Sequence, residues 1–201
     1  MFYYLDGKVT IIEPNLAVLD CGGVGFAVNT TAYTISRIKA GENSRLYTYV
    51  NIKEDAMDIF GFASLNEKRS FELLLGVSGV GPKMALSILS STTPEGLAMA
   101  IVGENAKALT AAPGVGKKIA QRIILELKDK MAKETADISL KGTAVPSSAQ
   151  PDNSKIGDAV AALTVLGYGN AEIVKALNSI DTEKLSLEDI IRQALKLMLK
   201  Q

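Results

Sequence analysis

The segment Gly79-Val80-Gly81-Pro82-Lys83 returns 35 residues later as Gly114-Val115-Gly116-Lys117-Lys118. The correspondence runs on, with Ala85 falling on Ala120 and Ile88-Leu89 on Ile123-Ile124. A unit repeated at this period is one supersecondary element used twice, here a helix, a glycine hairpin and a second helix. The glycines permit positive φ and close approach of another backbone, and the valine between them points inward as an anchor. The next helix starts at once, so its first-turn N–H groups and positive dipole end face outward, where a backbone phosphate oxygen fits. Lys83 and Lys118 fall in the first helical turn, Lys117 lies beside the second, and Arg122 follows about one turn later. They are placed for charge-assisted contacts to neighbouring phosphates. The expected phosphate-binding set is therefore Gly79, Val80, Gly81, Lys83, Gly114, Val115, Gly116, Lys117, Lys118 and Arg122. Such contacts position a nucleic acid without reading its sequence. The competing reading, a tight turn with no ligand, suits one copy better than two copies that share a lysine offset.

Formal net charge is zero over 201 residues, so a polyanion partner has to be sought in the distribution of charge. Residues 1–63 carry five basic and seven acidic side chains, 64–136 ten and seven, and 137–201 seven and eight. The repeat thus lies in the one basic third, and a local basic face binds polyanions even on a neutral molecule.

The chain reads as multidomain α+β. Residues 1–63 hold short apolar runs broken by turn signals: 8–12, 16–20, 26–30, 44–52 and 58–62. Several short strands in about 60 residues suggest a small barrel of the OB type. From Ser64 the period becomes helical, Ser64 and Glu67 have capping-box spacing, and helical text runs to Lys133. Residues 134–154 are poor in large apolar side chains and hold Pro146 and Pro151, the composition of a flexible tether. Residues 155–201 read as three short helices at about 155–166, 170–179 and 186–199. The last opens on the N-cap signature Ser186-Leu187-Glu188-Asp189, and helices this short have to pack on each other as a bundle.

Little in the chain suggests covalent chemistry. There is no His, hence no instance of the commonest general base, and no P-loop sequence. Gly22-Gly23-Val24-Gly25 lacks the following helix of a dinucleotide loop. The single Cys21 excludes an intrachain disulfide, fits a reducing cytoplasm, and reads as strand-end packing. No catalytic residue, metal ligand or cofactor site is expected. No apolar run approaches the roughly 18 residues of a membrane helix, and Met1-Phe2-Tyr3-Tyr4-Leu5-Asp6 has no secretory-signal pattern. Two rival classes remain. A helix-hairpin-helix nuclease or glycosylase would need acids such as Glu126 and Asp129, which look like a solvated helix end. A single-strand-binding OB protein would need exposed aromatics. Tyr47, Tyr49, Phe60 and Phe62 are available, although their spacing favours the core.

Barrel, paired hairpins, tether and helical tail in this order resemble the RuvA family, the Holliday-junction-binding subunits of bacterial branch-migration complexes. Gly22-Gly23-Val24-Gly25-Phe26, Lys53-Glu54-Asp55-Ala56, Phe60-Gly61-Phe62 and both hairpins carry the resemblance, which spans essentially the whole chain. It implies a cytoplasmic, non-catalytic DNA-binding subunit working in recombination, DNA repair and the SOS response. It further implies a homotetramer, or an octamer of two face-to-face tetramers, on four-way junction DNA. The partners implied are the hexameric RuvB ATPase and a junction resolvase. By the same resemblance, Glu54 and Asp55 form an acidic pin, though as residues alone they also read as loop solvation. The UBA-like three-helix tail, with Leu166, Gly167, Tyr168, Ile173 and Leu177, would dock the motor.

Overall fold

Alternating burial along five strands builds the N-terminal barrel. The strands are β1 (Tyr4–Glu13), β2 (Leu16–Asp20), β3 (Gly25–Asn29), β4 (Asn43–Ile52) and β5 (Met57–Phe62), closed in the order β1-β2-β3-β5-β4. The computed structural model describes residues 2–140, 153–165, 168–182 and 185–198. Strand β1 pairs antiparallel with β4 through Tyr4–Lys8 and with β2 through Lys8–Glu13, and its register shifts between Val9 and Ile11. That irregularity lets one long strand serve both neighbours, while β3 and β5 close the barrel in parallel at Asn29 and Phe60. Leu5, Val9, Ala17, Leu19, Val28, Leu46 and Ile59 fill the interior.

Strand β1 begins four residues before the apolar run that signals it. Asp6 and Gly7 mask the alternation, yet both belong to the strand. Asp6 bonds Arg45 across the pair (2.7 Å), and a Cβ on Gly7 would lie 2.3 Å from the Asp20 carbonyl oxygen. Helix α1 (Ala32–Ile35), which has no clear sequence signal, is a single turn capped by the Thr31 hydroxyl, which accepts from Thr34 N–H.

Helix α2 (Leu65–Leu75) starts at Ser64, whose hydroxyl accepts from Glu67 N–H at 3.2 Å. The reciprocal half of the expected capping box is replaced. The fully buried Glu67 carboxylate instead takes hydrogen bonds from the Thr31 hydroxyl, the Thr34 hydroxyl (2.7 Å) and Ala63 N–H (3.2 Å). One side chain thereby ties α2 to the barrel. Phe71 completes the attachment, with its ring 4.9–5.5 Å from those of Tyr49, Phe60 and Phe62. Three of the four aromatics that a single-strand binder would display thus form the socket for α2, while Tyr47 packs edge-on against Tyr3.

Helices α3 (Pro82–Ser91), α4 (Pro94–Val102), α5 (Ala106–Leu109) and α6 (Lys117–Leu140) follow, then α7 (Asn153–Val165), α8 (Asn170–Leu177) and α9 (Leu187–Met198). Helix α6 therefore runs into the stretch whose composition suggests a tether, and α7 opens at its far end; residues 141–152 lie outside the described residues. In the tail, Leu163, Ile173, Leu177, Ile190, Ile191 and Leu195 are buried, and Ser186 caps α9 by accepting from Asp189 N–H.

The chain forms two compact units. One comprises Met1–Gly76, Val80–Thr93 and Ala111–Val115; the other comprises Val77–Gly79, Pro94–Thr110 and Gly116–Gln201. The chain passes from one unit to the other inside each glycine hairpin. Among the described residues no single helix is long and apolar enough to cross a membrane.

Candidate nucleic-acid interface

The two hairpins have the same backbone. Gly79 sits at φ +86° and Gly114 at φ +85°, the left-handed region where a side chain is strained. Val80 and Val115 are buried to the same degree, as anchors should be. Gly81 and Gly116 need a different explanation. Gly81 has φ −94° and ψ 173°, which any residue adopts, and Gly116 is not at positive φ. A Cβ on either would meet nothing within 4 Å. Neither backbone strain nor internal packing requires glycine there. What the missing side chain leaves is open access to the helix end behind it.

That end has unclaimed donors. Gly81 caps α3 without a side-chain hydrogen bond, and Pro82 at the first helical position has no N–H to satisfy. Lys83, Lys117 and Lys118 are exposed, and among the described residues none forms an ion pair. Amide donors, a helix dipole and uncommitted ammonium groups together suit a phosphodiester.

Arg122 is differently engaged. Its Nη1 donates to the Ser78 carbonyl at 3.4 Å and lies 3.7 Å from where a Gly79 Cβ would sit. Four residues on, Glu126 Oε2 accepts from Ser78 N–H at 3.2 Å. Both polar backbone groups of Ser78 are thus held by one face of α6, which leaves Glu126 half-buried instead of in a solvated helix end. The i, i+4 spacing of Arg122 and Glu126 is the available signal, but nothing local in the sequence points to Ser78. In the other unit, Ser87 Oγ on α3 donates to the Pro113 carbonyl at 2.8 Å.

The acidic pair sits at the tip of the β4–β5 connection. Ile52 pairs with Met57, Lys53 N–H donates to the Ala56 carbonyl at 2.8 Å, and Glu54 and Asp55 lie between them, exposed. Ile52 is 74% exposed and Met57 57%, so the hairpin stands clear of the barrel that carries it. In the tail, Ile173 and Leu177 are interior. They can shape a docking face but cannot touch a partner directly, whereas their neighbour Val174 is exposed. Tyr168 is half-buried; Leu166 and Gly167 lie outside the described residues. Burial, with Asp20 beside it, pushes the Cys21 thiol up, opposite to what a nucleophile needs. Among the described residues, no three His, Cys, Asp or Glu side chains gather where they could hold a metal ion.

Known families match three segments: the RuvA N terminal domain over residues 1–61, the SAM-like helix-hairpin-helix tandem over 71–129, and the RuvA, C-terminal domain over 154–199. Relatives named as the Holliday junction branch migration complex subunit RuvA include that of Acetivibrio thermocellus, 42% identical over 197 residues and 98% of each chain. That of Ruminiclostridium cellulolyticum is 39% identical over 98% of this chain and 99% of its own, and that of Alkaliphilus oremlandii 39% identical over the whole of both. Likeness at this level along the full length, on the architecture just described, means that the chain belongs to the RuvA family.

Proposed function

We propose that the protein binds four-way DNA junctions and holds them for branch migration driven by a separate ATPase, performing no covalent chemistry itself. The supporting observation is the pair of hairpins with equal φ, open space at Gly81 and Gly116, and unpaired lysines behind them. Relatives along the whole chain carry the name of a branch migration complex subunit. In this reading Gly79, Val80, Gly81, Lys83, Gly114, Val115, Gly116, Lys117, Lys118 and Arg122 seat phosphates of the arms. Glu54 and Asp55 face the crossover, where like charge repels phosphate and keeps the strands apart. The protein acts as a cytoplasmic homotetramer, or an octamer when two tetramers sandwich the DNA. Its tail, through the Tyr168 region and the face built over Ile173 and Leu177, recruits a hexameric motor of the RuvB type. The stretch that joins α6 to α7 carries the tail and raises the motor's effective concentration at the junction.

A synthetic four-way junction and a linear duplex of equal length, titrated across a salt series, test the reading. Strong preference for the junction with a steep salt slope is expected, and equal affinity would overturn it. Light-scattering masses with and without junction separate tetramer from octamer.

A further inference from the structure

The 35-residue offset relates more than the glycines. Ser78 corresponds to Pro113, and Ser87 corresponds to Arg122. These are the residues joined by hydrogen bonds: Ser87 Oγ donates to the Pro113 carbonyl, and Arg122 Nη1 donates to the Ser78 carbonyl. The same position of each repeat's second helix thus braces the other repeat's hairpin, at the carbonyl just before its first glycine. The two braces differ in one respect. Pro113 fixes its own φ and has no N–H, whereas Ser78 has an N–H and a freer backbone. Glu126 takes that N–H. Its counterpart by the offset is Ser91, whose hydroxyl bonds back to the Ser87 carbonyl (3.0 Å).

We propose that Glu126 is a positioning residue for DNA binding: with Arg122 it immobilises Ser78 and so sets the first hairpin, doing there what proline does in the second. The inference rests on the reading of the hairpins as phosphate seats. It makes an unusual demand on sign. Deleting an acid from the basic segment of a DNA binder strengthens binding if only charge matters. Deleting Glu126 weakens it, because the Ser78 amide loses its acceptor and the turn at Gly79 loses its fixed geometry.

The test measures junction affinity of the full-length protein carrying Glu126→Ala, Glu126→Gln, Lys83→Ala or Lys118→Ala, and of the Glu126→Ala pairs with each lysine variant. Glu126→Ala is expected to weaken binding about tenfold, the worth of one charge-assisted hydrogen bond. Glu126→Gln, which keeps an acceptor oxygen, should bind as the parent does or tighter. Loss from Glu126→Ala should be non-additive with Lys83→Ala and additive with Lys118→Ala. Amide exchange at Ser78, followed without DNA, should accelerate in Glu126→Ala and stay slow in Glu126→Gln. Unchanged or tighter binding by Glu126→Ala, or coupling equal for both lysines, overturns the inference. If neither lysine variant weakens binding, the reading of the hairpins fails instead.

Discussion

The two hairpins share a backbone and differ in what holds it. The second is preceded by Pro113 and followed by two lysines, so its shape is largely local and it carries one more cation than the first. The first has Ser78 before it and Pro82 after it, and takes its shape from outside, from Arg122 and Glu126 on α6. Duplicated phosphate seats therefore need not have duplicated supports. A proline that fixes φ can be exchanged for a carboxylate that accepts an N–H.

Substituting the hairpin glycines probes that comparison with the largest effects. Gly81→Val and Gly116→Val introduce side chains into open space at ordinary φ. Thermal stability should hardly move, while junction affinity drops roughly 10–100-fold as the new side chains block hydrogen bonds from the amides to phosphate. Gly79→Val and Gly114→Val should lose both, since a β-branched residue at φ near +85° costs on the order of 1–3 kcal/mol of stability. A melting-temperature series beside binding isotherms checks this, and a fall in stability with Gly116→Val would contradict the open-access argument. Next come the lysines. Lys118→Ala should weaken binding several-fold, and for every phosphate left without its lysine the log–log salt slope should fall by about 0.9. Lys117→Ala should add a further loss that has no counterpart at Pro82. A salt titration that left the slope unchanged in both variants would remove these lysines from the interface.

The attachment of α2 to the barrel responds to pH. Burial raises the Glu67 carboxyl above its ordinary value, against the pull of its hydrogen bonds from Thr31, Thr34 and Ala63 and of nearby Arg37. A raised folded pKa means that the folded state holds a proton the unfolded state releases. The contribution is full below the unfolded value and is lost as pH rises through the folded one. The stability difference between the parent and Glu67→Gln should accordingly shrink as pH climbs above the ordinary carboxyl value of 4.5. Urea unfolding across that range measures it, and a widening gap would reverse the assignment. The smallest effect belongs to the pin. Glu54→Gln with Asp55→Asn should leave junction binding unchanged or slightly tighter while altering branch migration with the motor, and outright loss of binding would end the repulsion model.

Much of this architecture is legible in the sequence because it rests on local pattern. The repeat exposes both hairpins, alternation exposes the strands, and Ser64 and Ser186 mark helix starts they do cap. The features without a local signal depend on partners distant along the chain. Strand β1 reads short in the sequence because Asp6 and Gly7 make sense only beside Arg45 and Asp20. Glu67 has the spacing of half a capping box, yet its carboxylate is directed to threonines more than thirty residues earlier. Glu126 reads as solvated because its partner, Ser78, lies 48 positions away. Helical periodicity also carries α6 past the point where composition alone suggests a tether.

The distance between Ser78 and Glu126 has a consequence for synthesis on the ribosome. The first hairpin emerges well before the helix that steadies it. At roughly 5–20 residues per second, Ser78 waits about 2–10 seconds for Glu126 to be added, 48 residues later, while its own glycine turn has been made but not yet set. The second hairpin has no such interval for Pro113, whose brace from Ser87 is already translated. Stalled chains ending near residue 115 should therefore show the Ser78 amide exchanging freely, and chains extended well past Glu126 should protect it.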